Sequence, residues 1–171
     1  MSTQTQIVPM NTKAIMTLFG FTHGVFRQNT AEVTHEESLR QPQPGGNCIN
    51  WVGGHLAATR QGMLQMLGHA PTWTEDEMAF YRRGSSPVTT GVGAMRWERI
   101  AEDFDATQPL LMAGLAKLSP EDLAAPLPAD RNPFKLDSLA EQMAVFNFHE
   151  SYHVGQLGLL RRLVGKAGAI K

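Results

Sequence analysis

The chain has 171 residues, 42% of them apolar, with a formal net charge of -1 and a single cysteine. That length is enough to bury a hydrophobic core without staples, and it predicts one domain over residues 1–171. The near-neutral charge provides no broad field for nucleic acid or an anionic membrane, and Cys48 alone excludes both an intrachain disulfide and a cysteine-built zinc site.

The opening MSTQTQIVPM lacks the basic start and apolar run of a signal peptide, and no apolar stretch approaches the roughly 20 residues of a membrane span. Neither insertion nor export is expected, and a reducing cytoplasm is the simplest location. No internal repeat or low-complexity tract is present, so the organisation has to be read from helical stripes.

A first helix is predicted from about Asn11 to Arg27, with Ile15, Leu18, Phe19, Thr22, Val25 and Phe26 on its apolar side. After the breaker Pro44-Gly45-Gly46, a second runs from Asn47, the expected N-cap, to about Gly68; Cys48, Val52, His55, Thr59, Gly62 and Met66 share its inner face. A third repeats at Trp97, Ile100, Phe104, Thr107, Leu111, Gly114 and Leu118, with Pro109 positioned to kink or divide it. The fourth has the clearest stripe: Leu139, Gln142, Phe146, His149, His153, Gln156, Leu160 and Leu163 recur at three and four residues. Asp137 or Ser138 can cap it, with Glu141 placed as in a capping box. The connections are rich in Pro, Gly and polar residues, and no strand is evident. Four helices of roughly 20 residues, none able to bury its stripe alone, predict an all-α four-helix bundle.

His149 and His153 lie four residues apart, so their rings leave neighbouring turns on one side of the helix. Two imidazoles inside an apolar stripe are costly unless something satisfies their nitrogens. His55 lies at matching depth on the inner face of the second helix and completes a candidate metal triad, His55, His149 and His153. Three neutral imidazoles suit zinc, nickel, iron or copper, and a three-ligand set leaves a position for water or substrate.

The run His149-Glu150-Ser151-Tyr152-His153 also matches the H-E-x-x-H signature of zinc metalloproteases. That reading is rejected: only 18 residues follow His153, and Gln156 and Leu159 break the extended signature. Glu150 points about 100° away from His149 on the helical wheel and is expected at a helix edge, a loop or solvent.

Other residues carry weaker signals. Gln142 and Gln156 flank the pair and either serve as hydrogen-bond partners of the site or mark a bundle boundary. Tyr152 is a proton donor or, more commonly, a packing residue, and Trp51 either walls the site or fills the core. Cys48 is either a nucleophile or, the commoner role, a small buried hydrophobe. His23, His35 and His69 lack a ligand partner at helical spacing. Arg82-Arg83 and Arg161-Arg162 are read as solvated surface. The loop Thr72 to Gly84, with Trp73, Phe80 and Tyr81, either covers the open end of the bundle or packs a dimer.

Asn50-Trp51-Val52-Gly53-Gly54-His55, followed by His149-Glu150-Ser151-Tyr152-His153-Val154-Gly155-Gln156-Leu157, resembles the DinB-like family of bacterial metal-binding proteins over essentially the whole chain. The resemblance implies up-down-down-up connectivity, a nickel- or zinc-type ion on His55, His149 and His153, and a homodimer. It also implies, at the level of the wider superfamily, transfer or isomerisation chemistry with a low-molecular-weight thiol and a small electrophile. No catalytic residue or thiol-binding signature is readable, so fold alone does not choose a reaction. The expected function is metal-dependent activation of a thiol or water; the alternative is a non-catalytic metal-binding or stress-associated interaction protein.

Overall fold

The computed structural model describes residues 11–128, 132 and 134–170. Among them are seven α-helices and no strand: α1 (Thr12–Thr30), α2 (His35–Ser38), α3 (Ile49–Met66), α4 (Glu75–Tyr81), α5 (Trp97–Ala116), α6 (Pro120–Ala124) and α7 (Leu139–Leu163). No helix among the described residues is long and apolar enough to cross a membrane.

Local chemistry sets most of the helix starts. Asn11 accepts from the Ala14 amide and Ser138 from the Glu141 amide, each satisfying an otherwise orphaned donor. Reciprocal capping boxes at Thr34/Glu37, Thr74/Glu77 and Ser119/Asp122 begin the three short helices. The N-cap of α3 is Cys48 rather than Asn47, and its side chain makes no capping bond. Pro109 does not divide α5, which runs unbroken through it. The proline is exposed, where the carbonyl freed by its missing N–H can face water.

The four long helices pack as a ring in which α1 and α3 each lie between α5 and α7. Side-chain pairs give the relative directions. Gly53 lies against Trp97 and Gly114 against Leu67, so α3 and α5 run together. Thr22 bonds Glu150, and Asn29 bonds the Val154 carbonyl, so α1 and α7 run together. His23 meets Asp105 and Thr12 meets Leu118, so α1 opposes α5. These senses are compatible with up-down-down-up connectivity, in which the consecutive parallel helices α3 and α5 need a long connection.

The core is divided by a polar layer. One apolar cluster holds Phe26, Trp51, Val52, Trp97, Phe104, Val154 and Leu157; the other holds Ile15, Phe19, Met63, Leu64, Leu111, Leu115 and Met143. Between them, Arg60 of α3 grips Glu150 of α7 and also donates to Thr107 and Gln108 of α5, while Thr22 of α1 donates to Glu150. Every long helix contributes at least one polar side chain to this level, and α5 contributes two.

The buried face of α7 differs from the predicted stripe. Met143, Asn147, Glu150, Val154, Leu157 and Arg161 face inward, whereas Leu163 is exposed and Phe146, His149 and His153 are half-buried. The inward face carries buried charges that apolar periodicity cannot see. Glu150 is therefore interior, not at an edge or in solvent, because Arg60 neutralises it. Arg161 is likewise no surface residue: its guanidinium donates to the carbonyls of Asn29 and Ala31 at the C-terminal end of α1, and to that of Ala167.

Candidate metal centre

With Glu150 turned to the bundle axis, His149 and His153 fall one step around α7, on the seam facing α3. His55 reaches the same point from α3, and one ligand atom from each ring lies within 4.8 Å of the others. The ring centroids are 4.5 to 4.9 Å apart.

Two of the rings have their tautomer set by a neighbour. His55 Nδ1 lies 2.7 Å from the Tyr81 carbonyl, which only accepts, so the proton is on Nδ1 and the Nε2 lone pair is free. His153 Nδ1 lies 2.7 Å from Gln156 Oε1, which gives the same result there. His149 Nε2 is 2.9 Å from His55 Nε2, while its Nδ1 is buried with no partner among the described residues. A hydrogen bond between these two Nε2 atoms requires His149 to carry its proton there, which leaves a buried Nδ1 lone pair unmatched.

Burial lowers the pKa of all three rings. For His149, desolvation and the neighbouring His153, His55 and Arg83 push it down to about 4. Desolvation outweighs the Tyr81 hydrogen bond at His55, and at His153 it outweighs the bond to Gln156. The rings are neutral at pH 7, the state in which imidazole binds metal. Tetrahedral zinc–nitrogen bonds of about 2.0–2.1 Å separate ligand nitrogens by about 3.3 Å, within reach of this cluster. The three residues fit a divalent transition ion.

The site is supported from α3 and the α4 region. Trp51 stacks on His55 at 4.9 Å, and its indole N–H donates to Ser85 Oγ at 2.9 Å. Tyr81, fully buried, donates its hydroxyl to Asn50 and receives the Met95 amide, and burial raises its pKa to about 12. The tyrosine ring lies against Gly54 where a Cβ would overlap it, and Trp97 does the same at Gly53. The two glycines thus let α4 and α5 approach the turn that carries His55. Residues 72–84 form part of this wall, with Trp73 and Tyr81 in the core.

Other flagged residues lie elsewhere. Gln142 is buried but bonds none of the three imidazoles, and Tyr152 is exposed, edge-on to His153 at 5.2 Å. Cys48 is buried, with its sulfur 3.7 Å from the Val88 carbonyl. His23 pairs with Asp105 and stacks on Phe104, and His35 accepts from the Trp97 amide. His69 lines a groove of about 780 Å³ between α3 and α7, whose Thr59 and Phe146 walls begin one turn from His55 and His149. Arg60 was missed by sequence reasoning; Tyr81 was noted only as part of the loop before Gly84, and Gly53-Gly54 only within the motif before His55, without the packing roles they have here.

The sequence model of the DinB superfamily matches residues 19–157, a span that includes all three histidines. The chain belongs to the DinB superfamily. A crystal structure of a conserved protein from Enterococcus faecalis has the same DinB-like fold, with a TM-score of 0.70 at 18% identity, covering 91% of this chain and 98% of that one. No curated protein matches the sequence.

Proposed function

We propose that this DinB superfamily protein binds one divalent transition metal, nickel or zinc, through His55, His149 and His153, and uses it to activate a low-molecular-weight thiol or water against a small electrophile. The observation that carries the reading is the convergence of three neutral imidazoles, from two helices, on one half-buried point. Such an ion lowers the pKa of a coordinated thiol or water. The chain's part is to hold the rings neutral by burial, to orient two of them through the Tyr81 carbonyl and Gln156, and to limit water on the Trp51 side. The α3/α7 groove beside the triad has room for the rest of a small substrate. A cytoplasmic homodimer is the proposed working form.

A non-catalytic metal-binding role is the second reading, and one observation favours it. Glu150, the acid nearest in sequence to the triad, is locked into its pair with Arg60 and is not free to move protons. The same pairing removes support for protease-type chemistry.

The test of the site is metal content by elemental mass spectrometry on folded wild type, His55→Ala and His149→Ala. About one equivalent of a transition ion in wild type, lost in both variants, is expected. A folded wild type that refuses both zinc and nickel would rule out the triad as a metal centre.

A further inference from the structure

The helix face that carries His55 continues past the triad. Thr59 lies one turn further along α3 and Gly62 two turns, while Phe146 lies one turn before His149 on α7. The two helices run in opposite senses, because α3 follows α5, α7 follows α1, and α1 opposes α5. The turn after His55 therefore faces the turn before His149, and Thr59, Gly62 and Phe146 line one groove of about 780 Å³. On the other side of His55 the seam is closed, since the buried Trp51 stacks on the imidazole at 4.9 Å.

The groove carries no formal charge. No Asp, Glu, Lys or Arg lines it, and its one titratable side chain, His69, lies beyond the C-terminal end of α3. Phe146 and Met66, partly buried against the second apolar cluster, give it apolar walls. The Thr59 hydroxyl is already engaged, donating to the His55 carbonyl at 2.8 Å. The glycines of α3 differ in what surrounds them. At Gly53 and Gly54 the room for a side chain is filled by Trp97 and Tyr81, whereas at Gly62 a Cβ would meet nothing within 4 Å. The protein's own packing thus leaves the seam open beside Gly62, in a volume within the range of small-molecule sites.

We infer that this groove is the subsite for an apolar, uncharged body of the small molecule, such as an aryl group, whose reacting end lies at the triad. Phe146 supplies an aromatic wall for such a group. A charged body would leave water for a groove that has no opposite charge to pair with it. The inference rests on the proposed function in taking the triad as the place where the reacting group sits.

The probes are 2-phenylethanethiol, 2-mercaptoethanol and 3-mercaptopropionate, titrated by calorimetry and visible absorption into cobalt-loaded wild type, Gly62→Leu, Phe146→Ala and Gly20→Leu. Wild type is expected to bind the aryl thiol at least about tenfold more tightly than either of the others, as burial of one ring implies. Gly62→Leu, which fills the groove two turns from His55, should erase that preference while leaving cobalt uptake and the affinity for 2-mercaptoethanol unchanged. Phe146→Ala should reduce the preference. Gly20→Leu, at an exposed position of α1 where a Cβ also meets nothing, is the control and should keep it in full. No aryl preference in wild type, 3-mercaptopropionate bound as tightly as the aryl thiol, or a preference that survives Gly62→Leu overturns the inference. An aryl preference without any change in the cobalt spectrum supports the groove and counts instead against thiol activation. If the protein takes no cobalt, the metal reading fails, and 2-phenylethanol titrated into metal-free wild type and Gly62→Leu decides the groove: binding lost in the variant upholds it, and no binding to wild type overturns it.

Discussion

Arg60 and Glu150 form a buried two-bond ion pair across the α3/α7 interface, with Nε–Oε2 at 2.8 Å and Nη2–Oε1 at 2.7 Å and about 1% of each residue exposed. The pair adjoins the candidate metal centre in sequence, since Glu150 follows His149. Removing one partner strands the other charge, which typically costs about 3–5 kcal/mol. Glu150→Ala and Arg60→Ala are expected to lower the denaturation free energy by that order, measured by urea unfolding. Arg60→Met with Glu150→Met should recover much of the loss, because no charge is left unpaired. A single variant as stable as wild type would refute this account of the layer.

Gly54→Ala tests how the site is buttressed. The new Cβ would overlap the Tyr81 ring, which cannot retreat easily because Asn50 and Met95 hold its hydroxyl. Overpacking of this kind costs about 1–3 kcal/mol. The strain should also shift the Tyr81 carbonyl away from His55, so the variant is expected to bind metal more weakly as well as melt earlier. Gly62→Ala, where a Cβ meets nothing, is the control: it should leave metal affinity unchanged and raise stability by about 0.5–1 kcal/mol, as alanine does inside a helix.

These glycines show where the sequence was readable and where it was not. The four long helices were legible from apolar periodicity, as on the Ile100–Phe104–Leu111 face, and for α7 also from its cap at Ser138. The convergence of His55 with His149 and His153 was legible from depth along two helices. The rotation of α7 was not, because Glu150 and Arg161 are buried by partners distant in sequence, Arg60 and the end of α1. Periodicity scores a charge as exposed whatever partner awaits it. Tyr81 was unreadable for a related reason: its contribution to the site is a backbone carbonyl, which any residue type could supply.

Gln156→Leu removes the acceptor that holds His153 Nδ1 while leaving all three ligands in place. Loss of such a support typically weakens metal affinity by about 10–100-fold. Competition against a chromophoric zinc chelator should show a drop of that order with stoichiometry unchanged at saturation. Affinity equal to wild type would mean that the glutamine contributes nothing to ring orientation.

The outer side of α1 and α7 leaves Phe21, Phe148, Tyr152, Leu159 and Leu163 exposed, an apolar surface that supports the proposed homodimer. Sedimentation velocity at micromolar concentration should give a dimer for wild type. Phe148→Glu combined with Leu159→Glu should give a folded monomer that retains its metal, since neither residue belongs to the triad. A monomeric wild type would leave that surface without this role.

The depressed histidine pKa values set the pH response of the metal-free protein. His149, His55, His153 and His23 all titrate below the ordinary value of 6.5 in the folded state, with burial the largest cause in each and His149 lowest at about 4. Between those values the unfolded chain binds more protons than the folded one, so stability rises with pH. The contribution is complete above about pH 6.5 and is lost as pH falls toward the folded-state values. Each group contributes at most about 1.4 kcal/mol per pH unit, less where solvent screens it. Thermal melts of metal-free protein at fixed ionic strength should therefore fall by roughly 5 °C or more between pH 7 and pH 5. His149→Gln, which keeps a polar side chain but cannot titrate there, should show a shallower slope over the same window. An unchanged slope would mean that the triad is not held neutral by burial, and metal binding would then compete with protons at ordinary histidine pH.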